Sequence, residues 1–469
     1  MKTKNIILFA SLVAALSGCR RGDDLFVNPN QPASGTPASM LTGVEANTTM
    51  NYEAGMARIA SIFMQYQSGV VAQSTAYDEY IMTSSDMDNY WVGLYVGAMK
   101  NCKIMADKYE GKYPYYGGIA KVNMAINLGI ATELWGDVPY SQAFNLEGNV
   151  TAPQMDKQAA IFASIQTLLD QAIVDFATTP AQNQTVPGGD DLLYAGNMTA
   201  WAKAAWVLKA RYHNLLSNVD GTAGGTASAN NVIADLASGN GFASNADNCY
   251  TAHNTGSDPN QWAAFQDGRG YNVACQVLID SLNIPRNPGV DPRTNWYFDT
   301  TGTGNGTPVG NPLGQQNSGS LLGPYLYDVA TAAAGGNGEE LPTPLITYAE
   351  AEFLLAEAYA RVGNNANALV ELNKAIAASI ADVTKGTGTT YVVATASQHT
   401  VVTEKWKAMF AQPLESYSDY RRTGWPMLAV RPGGVLSFIP KRFPVDLQEM
   451  GANPNAVFIP LSTPVWFGK

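Results

Sequence analysis

Three histidines and four cysteines in 469 residues leave little with which to build a metal centre or a disulfide framework. His213, His253 and His399 stand far apart with no H-E-x-x-H or comparable ligand spacing, and His213 falls on a helical pattern where a structural role is the simpler expectation. Beyond Cys19 the cysteines are Cys102, Cys249 and Cys275, an odd number without C-x-x-C spacing, which argues against paired disulfides and against structural zinc. Neither a G-x-S-x-G elbow nor a G-x-x-x-x-G-K-[ST] phosphate loop occurs, and the glycine-spaced run "GTGNG" at 302–306 has no strand before it and no helix after it. No catalytic residue and no cofactor is expected. Asp86 and Asp88 in "SSDMDNY" can be read as two oxygen ligands for calcium or as a solvated polar turn, and the turn is the favoured reading. Glu339 and Glu340 are carboxylates of the kind a glycoside hydrolase uses, but such a pair must stand roughly 5 to 9.5 Å apart, and no such separation is legible in a sequence.

Charge is sparse too. Only 14% of residues are charged, and 28 Lys and Arg face 39 Asp and Glu for a net −11; losing residues 1–18 with Lys2 and Lys4 takes this to −13. Without a basic stripe, nucleic acid is not an expected partner, and an anionic lipid surface repels the body of the protein. Abundant Asn, Gln, Ser, Thr, Gly and aromatic residues suit an extracellular surface that is polar without being densely ionised.

The apolar run Ile6–Leu16 is shorter than the roughly 20 residues of a membrane-spanning helix. Behind Lys2 and Lys4 it reads as an export signal. The order Leu16-Ser17-Gly18-Cys19 resembles the bacterial lipobox, which implies that residues 1–18 are removed and that Cys19 becomes a lipidated first residue; several acyl chains together hold a protein stably to a membrane. Residues 19–40, rich in Pro, Gly and Asn, are expected to be a flexible tether, and 41–469 a single domain.

Within that domain, periodicity predicts helices. An amphipathic pattern runs from Ala38 to Gly69, and a polar stretch around 70–90 reads as a loop. A helix follows from Trp91 to Tyr109, with Cys102 in step with Trp91, Tyr95, Ala98, Met105 and Tyr109 as a buried thiol. Further helices are predicted at about 117–134, ended by Gly136 and Pro139, and at 157–177 and 198–217. Between 219 and 340 Gly, Asn, Thr and Pro dominate, with one helix expected near 271–282. "YAEAEFLLAEAYARVGNNANALVELNKAIAAS" can be laid on the tetratricopeptide pattern, with Leu355, Ala356 and Tyr359 on the first helix, Gly363 at its end and Ala368, Leu372 and Ala375 on the second. Glu352 stands where that pattern has Trp and Ile380 where it often has Pro, so the repeat is divergent; the alternative is a plain amphipathic hairpin. Helix pairs are expected at about 90–135, 157–218 and 345–380.

"ATELWGDVPYSQAF" (131–144), "TAWAKAAWVLKARYHNLLSN" (199–218), "DPRTNWYF" (291–298), "LITYAEAEFLLAEAYAR" (345–361) and "KWKAMFAQPLESYSDYRRTGWP" (405–426) occur in that order. With the lipobox, and over essentially the whole mature chain, they resemble the SusD/RagB family of outer-membrane nutrient-binding lipoproteins, in particular its SusD-like branch. The resemblance implies a predominantly all-α body with tetratricopeptide-like helix pairs on one side and a loop-rich ligand side on the other. It also implies a binding role without catalysis, at the cell surface: capture of an oligosaccharide, or in some branches a peptide, for a SusC-like TonB-dependent transporter. Arg20 and Arg21 depart from the acidic residues that commonly follow the cysteine of surface-exported lipoproteins.

A sugar site needs exposed aromatic platforms beside hydrogen-bonding side chains. Tyr77, Asp78 and Tyr80 in the 70–90 segment, and Trp262, Gln266, Arg269, Trp296 and Tyr325 in the long irregular region, are the candidate ligand contacts. Trp91 and Trp135 are expected to be packed, and Arg421 and Arg422 of "SDYRRTGWP" to tie the scaffold together.

Overall fold

The computed structural model describes residues 35–469 apart from 110, 145–147, 149, 255, 302–305 and 328–337. The leader, Cys19 and most of "GTGNG" lie outside the described residues. Helices dominate, and each start carries a local cause. Thr36 caps the helix Pro37–Glu53 by accepting from the Ser39 N–H at 3.2 Å, with Pro37 at the first helical position. Pro114 likewise opens the 22-residue helix Pro114–Trp135, and Gly136, at φ 80°, ends it.

That helix is buried on every side. Helices Pro37–Glu53, Lys100–Tyr109 and Gln158–Phe176 pack around it, and Gln158–Phe176 leads on to Met198–Leu215. Small residues permit the close approach: a Cβ added at Gly129 would stand 2.2 Å from the Tyr212 hydroxyl of helix Met198–Leu215. Between Trp91 and Tyr109 the chain is helical with a π-helical stretch over Gly93–Met99, and Trp91, Ala98, Cys102, Met105 and Tyr109 face the core.

The tetratricopeptide-like hairpin is formed by Tyr348–Arg361 and Asn365–Val383. Thr347 accepts from Glu350 N–H and Asn364 from Asn367 N–H, so both helices are capped by their own sequence. Ala356, Ala368, Leu372 and Ala375 are sealed between them and form a satellite core with Phe353, Ile376, Val401 and Met409.

An ionic lattice under the hairpin joins four helices. Arg211 grips Glu350 through two bonds of 2.6 and 2.7 Å and meets Glu415 at 2.9 Å. Arg422 grips Glu357 at 2.6 and 2.8 Å and Asp419 at 2.6 Å, while Lys405 takes the other Asp419 oxygen at 2.8 Å. Arg421 donates to the Glu133 carbonyl. The two arginines of "SDYRRTGWP" thus hold scaffold. "DPRTNWYF" is scaffold as well: Arg293 pairs with Asp291 at 2.6 Å and donates to Ser379 on the second helix of the hairpin.

Two expectations are corrected. The 70–90 segment is no open loop: it carries the helix Ala72–Asp78 and a 3-10 turn Ser84–Met87 closed by a Thr83/Asp86 capping box. The 219–340 region holds helices Thr226–Leu236, Gln261–Arg269, Gln276–Leu282 and Thr294–Tyr297, with a strand at Asn272–Ala274 where the predicted helix was to begin. Their Gly- and Asn-rich flanks mask short helices whose caps, such as Asn260 for Gln261–Arg269, are themselves Asn. Strands are short antiparallel pairs: Gln67–Gly69 with Asn272–Ala274, Val138–Pro139 with Met155–Asp156, and Cys249–Tyr250 with Pro344–Ile346.

Candidate functional site

The first of these pairs brings together the two segments in which ligand contacts were expected. Gln67 lies opposite Ala274 and Gly69 opposite Asn272, and Val70 N–H extends the ladder to the Tyr271 carbonyl at 2.9 Å. This sets helix Ala72–Asp78 beside the end of Gln261–Arg269. Arg58, from helix Gly55–Phe63, completes the junction: its guanidinium lies 4.2 Å from the Phe265 ring centroid and one Nη reaches the Gln261 carbonyl.

Phe265 is flanked by Arg269 as well, whose guanidinium stands 5.3 Å from the ring centroid, and Tyr271 meets it edge-on at 5.9 Å. The (i, i+4) spacing of Phe265 and Arg269 places both on one helix face. Tyr90 adds a further ring, its hydroxyl within hydrogen-bonding reach of Tyr77, which in turn accepts from Gln73 at 2.6 Å. Phe265, Tyr271, Tyr90 and Arg58 are half-buried, and Arg269 and Gln73 are exposed. Burial holds the Arg58 guanidinium below its usual range and raises the phenols of Tyr77 and Tyr90, with Asp86 adding to both and Tyr90 adding to Tyr77. The phenols therefore stay neutral and serve as hydroxyl donors and acceptors. The surface offers aromatic faces framed by two cations and several hydroxyl and amide groups.

Of the eight expected contacts, six turn inward instead of standing as open platforms. Tyr77 and Tyr80 are buried, the latter against Phe63 and with its phenol pushed up to about 12 by burial. Asp78 is buried against Arg431 at 2.5 Å and accepts from Gly69 N–H. Trp262 and Gln266 line the inner face of their helix, and the Trp262 Nε1 and Gln266 Nε2 donors have no partner among the described residues. Tyr325 reaches Asp382 on the hairpin, beneath the Lys385 ammonium. Arg269 is exposed and Trp296 half-buried; the Trp296 carbonyl accepts from Tyr325 N–H, in the neighbourhood of the hairpin. An aromatic residue in a polar segment has a core to reach once that segment is folded against the body, which is why Tyr77, Tyr80, Trp262 and Tyr325 are covered.

Arg58, Phe265, Tyr271 and Tyr90 are not among the contacts expected from the sequence. A lone Arg in the apolar run "GMARIASIF" and the Phe-to-Arg spacing in "QWAAFQDGR" were the available signals.

Asp86 and Asp88 diverge. Asp86 closes the turn on Thr83, and Asp88 lies beside Asp446 and Gln448. Among the described residues no group of three or more His, Cys, Asp or Glu is placed to hold a metal ion. His213 is held by Asp235 at 2.6 Å, His253 by Glu53 at 3.1 Å, and His399 stacks on Trp425 at 3.9 Å.

Comparison with known proteins bears on the whole chain. The family model for SusD-like proteins, described as starch-binding and associating with the outer membrane, matches residues 29–444. Among solved structures, a SusD/RagB family protein from Bacteroides thetaiotaomicron superposes with a TM-score of 0.76 at 24% identity, covering 93% of this chain and 100% of that one. A chitin-binding protein does so at 0.72 and 21%, covering 92% and 100%. A chitin-binding SusD homolog from Flavobacterium johnsoniae gives 0.70 at 20%, covering 88% and 94%. No curated protein matches the chain. At these identities the structural likeness establishes the fold.

Proposed function

The chain belongs to the SusD-like family, described as starch-binding and associating with the outer membrane, and from that premise we propose that it captures an oligosaccharide at the surface built by Arg58, Phe265, Arg269, Tyr271 and Tyr90. It does so without turnover, held to the outer membrane by lipid on Cys19 and facing outward, and passes its ligand to a SusC-like TonB-dependent transporter. The observation that carries this reading is the assembly of half-exposed rings and cations where two distant segments meet. Rings stack on the C–H faces of a sugar, and Arg269, Gln73 and the phenols hydrogen-bond its hydroxyls. Arg269 and Trp296 are the expected contacts that present surface; Tyr77 and Trp262 support the others from behind.

Glu133 and Glu415, raised to about 7 and about 8 first by burial, sit in the core near Arg211; Glu352, raised to about 8, lies on the hairpin and Asp446, raised to about 6, beside Asp88, so none of these four belongs to the proposed surface.

Calorimetric titration of the mature chain with maltooligosaccharides, chitooligosaccharides and a peptide panel tests the reading. Saccharide binding without product formation is the expected result. Peptide binding alone, or time-dependent cleavage, overturns it. Cys19→Ala releases the protein from the membrane fraction if the anchor is correct, and the transporter co-purifies with the lipidated form.

A further inference from the structure

We propose that a groove at the start of helix Gln158–Phe176 is a second saccharide site, selective for a sugar bearing an anionic substituent, a carboxylate or a sulfate. The inference rests on the reading of the protein as a saccharide binder but uses none of the residues of the first surface.

The groove encloses about 490 Å³, within the range of small-ligand pockets. Arg442 is in its wall and is only 4% exposed. A guanidinium carries five N–H donors. Among the described residues one Nη of Arg442 donates to the Trp135 carbonyl, Nε has no partner, and the other Nη makes no bond. The nearby carboxylate does not use that capacity. Asp137 Oδ1 accepts from Gln158 N–H at 2.9 Å and Oδ2 from Lys157 Nζ at 2.7 Å; its charge favours the protonated Arg442, but it makes no bond to the guanidinium among the described residues. A buried cation with unspent donors is costly unless something supplies an acceptor.

Two more features of the wall point to the same chemistry. The groove receives the N-terminus of a 19-residue helix, whose dipole favours negative charge and whose capping residue Lys157 makes no side-chain cap bond, the Gln158 N–H being taken by Asp137. Trp466 lines the groove and remains 44% exposed, an indole face to hold a sugar ring beside the anion. Lys157, with a side chain 82% exposed, stands at the rim. Burial draws the Arg442 guanidinium down to about 10, still charged at neutral pH.

The experiment titrates the mature chain with trigalacturonate, its methyl ester, a sulfated trisaccharide and maltotriose. The acid or the sulfated sugar, whichever carries the right substituent, binds at least tenfold tighter than the uncharged ester, and 0.5 M salt erodes the difference. Lys157→Gln and Trp466→Ala, both at exposed positions, each weaken that binding several-fold and leave maltotriose affinity unchanged. Arg442→Gln abolishes it; because that change touches the scaffold, its folding is checked by circular dichroism, and the two surface variants keep the test decisive. Equal binding of acid and ester with no gain for the sulfated sugar, or indifference to both surface substitutions, overturns the proposal. Maltotriose binding without acid binding sinks this site alone. Acid binding through Trp466 with no neutral saccharide bound anywhere sinks the first surface instead.

Discussion

Asp78 and Arg431, 353 residues apart in the chain, form an ion pair of 2.5 Å with both side chains 5% exposed. The Arg431 N–H also donates to the Tyr80 hydroxyl at 3.2 Å, so this one segment receives two of the residues expected at the ligand. Removing one partner of a buried pair strands the other charge. Asp78→Asn is therefore expected to cost on the order of 3 kcal/mol of folding stability, read as a lower urea midpoint at unchanged m-value. A midpoint equal to the parent's would show that the pair contributes nothing.

Phe265→Ala removes the ring held between Arg58 and Arg269. Loss of one stacking platform costs about 1 kcal/mol, roughly fivefold in affinity, while thermal stability changes little because the ring is half-exposed. Tyr80→Ala, by contrast, opens a hole against Phe63 and lowers stability first. Calorimetry and thermal melts on the two variants separate the roles; identical profiles would refute the assignment.

Gly129→Ala places a methyl 2.2 Å from the Tyr212 hydroxyl. Tyr212 is fixed by its bond to the Ala125 carbonyl at 3.1 Å and cannot swing aside cheaply. Overpacking of this kind costs about 1 to 3 kcal/mol, and because ring carbons Cε1 and Cζ would also stand 2.6 Å from the methyl, the double variant Gly129→Ala/Tyr212→Leu, which removes the ring, should recover part of it. Chemical denaturation of the two variants reads the recovery.

Glu352 is raised to about 8 first by burial, then by the Glu371 carboxyl that faces it; Lys374 binds Glu371 at 2.7 Å and Tyr348 lies alongside. The folded protein therefore keeps a proton that the unfolded chain releases near the ordinary Glu value. Folding stability from this site falls as pH rises from about 5 to about 8, by up to about 1.4 kcal/mol per unit. Glu352→Gln holds the equivalent of the protonated form and removes this part of the slope. Urea titrations at pH 5.5 and pH 8 check it: parent and variant should diverge at the higher pH, with the variant the more stable.

Cys102, Cys249 and Cys275 are buried, and burial raises all three thiols, Cys275 to about 11. A thiolate-dependent reagent such as Ellman's should find none of them in the native protein at pH 8 and all of them after unfolding. Fast native labelling of any one would contradict the packing.

The hairpin of the repeat was legible because its small residues recur at helical spacing and its caps, Thr347 and Asn364, are local. The helix Pro114–Trp135 was legible from its end, where Gly136 and Pro139 stop it, while its start falls three residues before the expected 117. What escaped was orientation. Tyr77 and Trp262 sit in polar stretches, and nothing in a stretch's own composition tells which of its rings will find the core. The pairing of Gln67–Gly69 with Asn272–Ala274 is too short for an alternation of polar and apolar residues to announce itself. Without that pairing, Arg58 is merely an arginine in an apolar helix and Phe265 merely a ring in a loop-rich region.

The same three-residue ladder orders events during synthesis. Gln67 must wait 205 residues for Asn272 to leave the ribosome. Asp78 must wait still longer for Arg431, 353 residues on, so the segment that follows the ladder is not fixed until the chain is nearly complete. Closing so long a loop costs little more than closing one half its length, about 0.6 kcal/mol; the burden falls on timing. Until then Arg58 travels without the Phe265 ring it lies against, and a chain stopped short of Asn272 has no second strand to bring the two segments together.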